Sequence, residues 1–182
     1  MAKRKSSFDK RIVISGVLVA LSVIILYIGS IFQTLDLTMS AISSLMVVVI
    51  VIEMGYKYAW MTYAATSVLS LVLLPPPLVI AVFYACFMGF YPIVKSYIER
   101  INKAVVRWII KLAVGNAALI LIFLLISLIL PAEFEGVASI LIAATYALAL
   151  LAFIMYDVAL TKLISLYFAR VRDRIKIYKF LR

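Results

Sequence analysis

The chain contains no histidine and one cysteine, Cys86. Without histidine it lacks the commonest metal ligand and the commonest general base near neutral pH. No serine or cysteine nucleophile then has an imidazole partner. A lone cysteine within an apolar run forms no intramolecular disulfide and says little about redox compartment. No GxxxxGK[ST] phosphate loop occurs, which excludes ATP hydrolysis by that route. No His/Cys/carboxylate cluster suits zinc or iron. Charge is scarce at 14% of residues, and acids are scarcer, 8 against 18 Lys and Arg. The carboxylates within apolar runs are too few and too near the run ends for a paired-aspartate protease. The expectation is a protein that is not an enzyme and needs no cofactor or metal.

What is abundant is apolar sequence. Of the 182 residues 67% are hydrophobic and the mean hydropathy is +1.19, against an apolar share of about 45–50% in soluble domains. This predicts an all-α polytopic protein of the cell membrane, multi-pass, with room for about six spans and no separate soluble domain. The net charge of +10 comes from basic residues at the ends of apolar runs. Lipid headgroups of the bilayer, and no nucleic acid, are the expected partner for that charge.

The organising stretch is Tyr58–Val94, uncharged throughout and interrupted by Pro75, Pro76 and Pro77. Each half is roughly 25 Å long as helix. Three prolines cannot continue a helix, so the chain reverses there in a transmembrane hairpin. Ahead of it, Lys3, Arg4, Lys5, Lys10 and Arg11 precede an uncharged run from Ile12 to Leu35, too long for a secretory signal and read as an uncleaved first span. Asp36 stands at a helix N-cap position before a second run, Leu37–Ile52, closed by Glu53 and Gly55. Glu53 and Lys57 read as a local surface pair across the turn. The charged segment Lys95–Arg107 leads to a fifth span, Trp108–Leu130, and a sixth from Gly136 past Tyr156.

With the N-terminus inside, every lysine and arginine falls on or near the cytoplasmic side, and Asp36, Glu133 and Glu135 lie outside. The expected layout is a basic cytoplasmic N-terminus over 1–11, a six-helix transmembrane bundle over 12–160, N-in and C-in, and a basic amphipathic tail over 161–182. In that tail Val171, Ile175 and Tyr178 alternate with Arg172, Arg174, Lys176 and Lys179. A helix on the inner leaflet or against a partner protein fits this pattern; a strand fits the same alternation.

Few side chains are candidates for chemistry. Lys111 and Asp157 are the deepest ionisable residues, and an antiparallel pair of helices joined near residue 133 places them level, as a buried ion pair. A buried charge in a membrane is a functional candidate by default, and a paired one a proton or ion site; because both groups lie shallow, a structural ion pair with Lys111 reaching back to the interface is the favoured reading. Asn116 is the clearest mid-membrane polar group and should face the bundle interior, as helix-to-helix glue or as a ligand contact. Tyr84 and Tyr146 reach comparable depths. Thr62, Thr66 and Ser70, with Ser67 beside them, and Ser40, Ser43 and Ser44 form hydroxyl stripes of the kind that mark close helix packing. With Gln33, Thr34, Asp36 and Thr38 they also make the outer half polar, so that a small polar ligand from outside would meet them first. Gly16 and Ala20 make a small-xxx-small step, a docking face for a partner helix or for one of the chain's own. The alanines of span six, Ala143, Ala147, Ala149 and Ala152, suggest a central position in the bundle.

Leu35-Asp36-Leu37-Thr38, Glu53-Met54-Gly55 and Gly89-Phe90-Tyr91-Pro92-Ile93-Val94-Lys95, on a six-span plan with a short first external loop, resemble the substrate-binding S components of energy-coupling factor transporters. The resemblance implies capture of a vitamin-like small-molecule substrate from outside, with Asp36, Thr38, Ser67, Tyr84, Asn116 and Tyr146 as ligand-binding candidates. It also implies an energising transmembrane subunit and ATPases as partners, docked where Gly16 and Ala20 replace the family's alanine pair. The plan is similar, too, to the six-span scaffold protein of the bacterial rod-shape machinery, which binds proteins rather than a solute. A solute carrier needs a cavity of about 300 Å³ or more lined by a few polar groups, whereas a scaffold fills that space with packed side chains.

Overall fold

The computed structural model describes residues 2–32, 35–76, 78–131 and 139–171, with side chains from Lys10 to Arg170. Gln33, Thr34, Pro77, Glu133, Glu135 and the tail beyond Val171 lie outside the described residues. The order is α1 (Ala2–Ile31), α2 (Asp36–Glu53), α3 (Tyr56–Leu73), α4 (Val79–Phe83), a π-helical turn (Tyr84–Met88), α5 (Tyr91–Ile98), α6 (Ala104–Ile129), α7 (Ser139–Leu166) and a closing π turn (Tyr167–Val171). There is no strand among the described residues. Five segments are long and apolar enough to cross a membrane: Lys10–Ile31, Asp36–Glu53, Val79–Ile98, Ala104–Ile129 and Ser139–Arg170. The remaining helix, α3, carries Lys57, three tyrosines and Thr62, Thr66, Ser67 and Ser70, which lower its hydropathy.

The turns follow from backbone chemistry. Leu74, ahead of Pro75, is extended at φ −78°, ψ 142°, as the ring of a following proline requires. Between α2 and α3, Gly55 has φ 91° and ψ 177°, a region open almost only to glycine. A methyl group at Gly55 would meet nothing within 4 Å, so its cost is backbone strain alone. Gly55→Ala should cost about 1–3 kcal/mol, read as a lowered unfolding midpoint in detergent with unchanged helix content.

The rod Val79–Ile98 is the centre of the bundle. It packs on α1, α2, α3 and α6, and 61% of its most apolar stretch is buried. Pro92 sits in the first turn of α5 and has no N–H to offer the Met88 carbonyl four residues back, which explains the break between the π turn and α5. The Tyr156 hydroxyl takes up that carbonyl, donating to Met88 O at 3.4 Å. Likewise the Tyr63 hydroxyl donates to Ala85 O within the π turn at 2.7 Å.

α1 is already helical from Ala2 and α7 continues to Leu166. Several expectations need correction. Asp36 is the first residue of α2, not its cap; Leu35 takes that place and no side chain caps the helix. Lys95 belongs to α5 rather than to a loop, since the helix runs on to Ile98. The last helix is peripheral, not central: only 6% of its apolar stretch is buried, and Ala143, Ala147 and Ala152 face outward. Its buried stripe is Phe153, Asp157 and Leu160, so one narrow face, not the alanines, holds it.

Candidate functional site

Three features stand out, and the first is ionic. Tyr91, Lys95 and Glu99 follow one another at four-residue intervals, which stacks them on one face of α5. Opposite stand Lys111 on α6 and Asp157 and Thr161 on α7. Lys95 is fully buried, Asp157 is 2% exposed and Lys111 7%. The Lys95 ammonium pairs with Asp157 Oδ1 and donates to Asp157 O at 3.0 Å and Thr161 Oγ1 at 2.8 Å. It also lies 2.9 Å from Glu99 Oε1. Lys111 Nζ lies 2.8 Å from Asp157 Oδ2 and 3.4 Å from Glu99 Oε1. Tyr91 completes the carboxylate's shell by donating to Asp157 Oδ1 at 2.7 Å. Two cations thus face two anions with every charge countered. A fully satisfied network of this kind fixes geometry and leaves no spare charge for a ligand.

The structure brings Lys111 and Asp157 together, and adds Lys95, Glu99, Tyr91 and Thr161, which sequence reasoning left out. The sequence reading places Lys95 at the start of the charged segment Lys95–Arg107. The usable signal was the four-residue spacing of Tyr91, Lys95 and Glu99, which continues the helix through the first charge.

The second feature is a core of hydroxyls between α1, α2, α3 and the π turn. Ser15, Ser30, Ser70, Ser96, Thr145 and Thr161 turn their hydroxyls back to a carbonyl three or four residues earlier in their own helix. That is the usual way a helical hydroxyl is satisfied. Ser22, Thr62, Thr66, Ser67 and Tyr84 do not: each is buried and short of full hydrogen-bonding geometry, with Thr66 and Ser43 within reach of the Tyr84 hydroxyl and Ser67 within reach of that of Tyr63. An unsatisfied buried donor or acceptor costs about 1–3 kcal/mol. Neighbouring hydroxyls are engaged: Ser40 donates to Ile80 O at 3.4 Å, Ser43 to Ser22 O at 3.3 Å, and Ser44 shares a 2.8 Å hydrogen bond with Tyr156.

The third feature is a groove of about 640 Å³ between α6 and α7, floored by Phe83. Leu119, Phe123, Ile126, Ile142 and Ala149 line it, with Ser139, Thr145 and Tyr146 as its polar groups. The hydroxyl of its lining residue Tyr146 donates to Asn116 Oδ1, while Asn116 Nδ2 donates to Leu112 O at 2.9 Å.

The six ligand candidates therefore fall in three places. Asn116 and Tyr146 meet at the groove, Ser67 and Tyr84 belong to the hydroxyl core, and Asp36 and Thr38 stand at the start of α2, half-buried and exposed respectively. Gly16 and Ala20 face outward on α1, and a methyl group at Gly16 would meet nothing within 4 Å, so no helix among the described residues packs there. Glu53 accepts a hydrogen bond from Tyr167 at 3.0 Å. Among the described residues no group of His, Cys, Asp and Glu could hold a metal ion.

No family model, curated protein or solved structure matches this chain. Its function is therefore argued from the site itself.

Proposed function

We propose that this chain is a six-span membrane protein, both ends cytoplasmic, that captures a small and largely apolar solute carrying one hydrogen-bonding end. On this reading α3 is the sixth span, and the solute passes to a separate energising subunit and its ATPases, as in the S components that the chain resembles. The carrying observation is the groove between α6 and α7. Its volume of about 640 Å³ lies within the usual range of small-molecule sites, and an apolar lining with a few polar groups is their usual character. Tyr146, Thr145 and Ser139 would hold the polar end; Leu119, Phe123 and Ile142 would cover the rest. The outward-facing Gly16 and Ala20 leave room for a transporter helix to approach closely, and the basic tail would rest on the inner leaflet.

The second reading is a scaffold that binds proteins. The same open face on α1 favours it, as does the broad apolar exposure of α7, where Ile140, Leu148 and Met155 are each at least 66% exposed.

Thermal unfolding of the purified protein against vitamins and related amphipathic solutes separates the two. A solute at a hundred times its dissociation constant should stabilise by about 2.7 kcal/mol, and Ala149→Phe, which fills the groove, should abolish the shift while leaving the unliganded midpoint close to wild type. A full panel without any shift would move the weight to the scaffold.

A further inference from the structure

We infer that the solute of the groove between α6 and α7 is a lipid-type amphiphile taken sideways from the bilayer, with one hydrocarbon chain lying in the groove and its polar end at the membrane surface beside Ser139. This rests on the capture reading above and names its substrate class and route of entry.

The groove's place along its two helices carries the first step. On α7 its lining runs from Ser139, the first residue of that helix, to Ala149, and on α6 from Leu119 to Ile126, close to the helix end at Ile129. The ten-residue separation of Ser139 and Ala149 is a rise of about 15 Å, half of the ~30 Å hydrocarbon thickness of a bilayer. The groove therefore spans one leaflet, the depth over which a lipid chain lies. Both walls are helices long and apolar enough to cross a membrane, and three lining side chains, Ile120, Leu124 and Leu141, are 52%, 54% and 59% exposed. Within a bilayer such side chains border hydrocarbon, so the open side leads into lipid and not into water.

The lining chemistry carries the second. Its polar groups are few, and two of them are already spent. The Thr145 hydroxyl donates to Leu141 O at 2.9 Å within its own helix, and the Tyr146 hydroxyl donates to Asn116 Oδ1. A hydroxyl donates only once, so towards a solute these two oxygens can only accept. A water-soluble solute that carried several acceptors down the groove would lose their hydration without gaining donors in return. A hydrocarbon chain has nothing to satisfy, and Leu119, Ile122 and Ile142 offer it apolar walls, with Phe83 as the floor. Ser139 begins α7, where the span enters the headgroup region, and there it meets the polar end.

Depth separates a held chain from the lipid that coats any membrane helix. Ile122 lines the groove but is only 4% exposed, whereas Ile140 and Leu148 on the outward face of α7 are 76% and 66% exposed. Coating lipid touches the second pair alone.

The test uses the full chain in phosphatidylcholine nanodiscs that include a phosphatidylcholine with a photoreactive diazirine midway along one chain, and maps the labelled residues by peptide mass spectrometry. Label is expected at Ile122 and Phe83 as well as at Ile140 and Leu148. In Ala149→Phe, which fills the groove, label at Ile122 and Phe83 should fall about tenfold, equivalent to about 1.4 kcal/mol of lost binding, while that at Ile140 and Leu148 stays as in wild type. Leu119→Trp, on the facing wall, serves the same comparison should Ala149→Phe fail to fold. Label confined to Ile140 and Leu148 in wild type overturns the proposal, as does label at Ile122 that filling the groove leaves unchanged. The thermal-unfolding panel then shows how much falls with it. A water-soluble solute whose stabilisation is lost in Ala149→Phe would keep the capture reading and displace the lipid; a panel without any shift would remove both.

Discussion

Asp157→Leu should destabilise the protein by about 3–5 kcal/mol, the cost of leaving buried charge without its partner. Asp157 is the centre of the ionic cluster: Lys95 and Lys111 meet its two carboxylate oxygens separately. Its removal leaves Glu99 as the one carboxylate touching either ammonium, and Glu99 is itself 34% exposed and 3.4 Å from Lys111. Lys95 is enclosed on all sides and cannot reach water without moving α5. The measurement is the unfolding free energy in mixed detergent and dodecyl sulfate micelles. The triple variant Asp157→Leu, Lys95→Met, Lys111→Met is the control, and it should recover most of the loss because apolar replacements of a buried ion pair are often neutral or better. A loss below about 1 kcal/mol for the single variant would match an exposed pair, and would mean that the lysines are hydrated.

Phe153→Ala should cost a similar amount, about 3–5 kcal/mol, for a different reason. The Phe153 ring is 3% exposed and packs edge-on against Phe87, 5.5 Å between centroids, and Tyr91, 5.3 Å. It also rests on the bare backbone of Gly115, where a methyl group would come within 2.8 Å of the ring. Truncation removes these contacts and leaves a cavity that α6 cannot fill, since glycine has nothing to extend. Because α7 buries so little else, this ring supplies much of its packing. Phe153→Leu, which keeps most of the volume, should cost clearly less in the same measurement. Equal losses for the two variants would show that the aromatic contacts, and not the volume, carry the effect.

Much of this architecture can be read along the chain. The prolines at 75 and 76 and the glycine at 55 mark turns through backbone rules that do not depend on tertiary context. The level of Lys111 with Asp157 follows from rise per residue in two antiparallel helices. What could not be read is which face of each helix turns inward. The hydroxyl stripe of α3 does point into the core, but the alanine stripe of α7 points outward, because in nearly uniform apolar sequence small size alone does not distinguish a packed face from an open one. Lys95 was missed for a related reason. A charge at the end of an apolar run looks like a loop residue until the partner that buries it, sixty-two positions later at Asp157, is known.

That separation along the chain has a consequence for synthesis. Lys95 and Lys111 leave the ribosome well before the carboxylate that neutralises them, which belongs to the last helix. Until α7 arrives, α5 and α6 carry two ammonium groups whose only nearby carboxylate among the described residues is Glu99, and the cluster cannot close. The final helix therefore acts as the keystone of assembly, and a chain released before Asp157 would be left with its central rod unfinished.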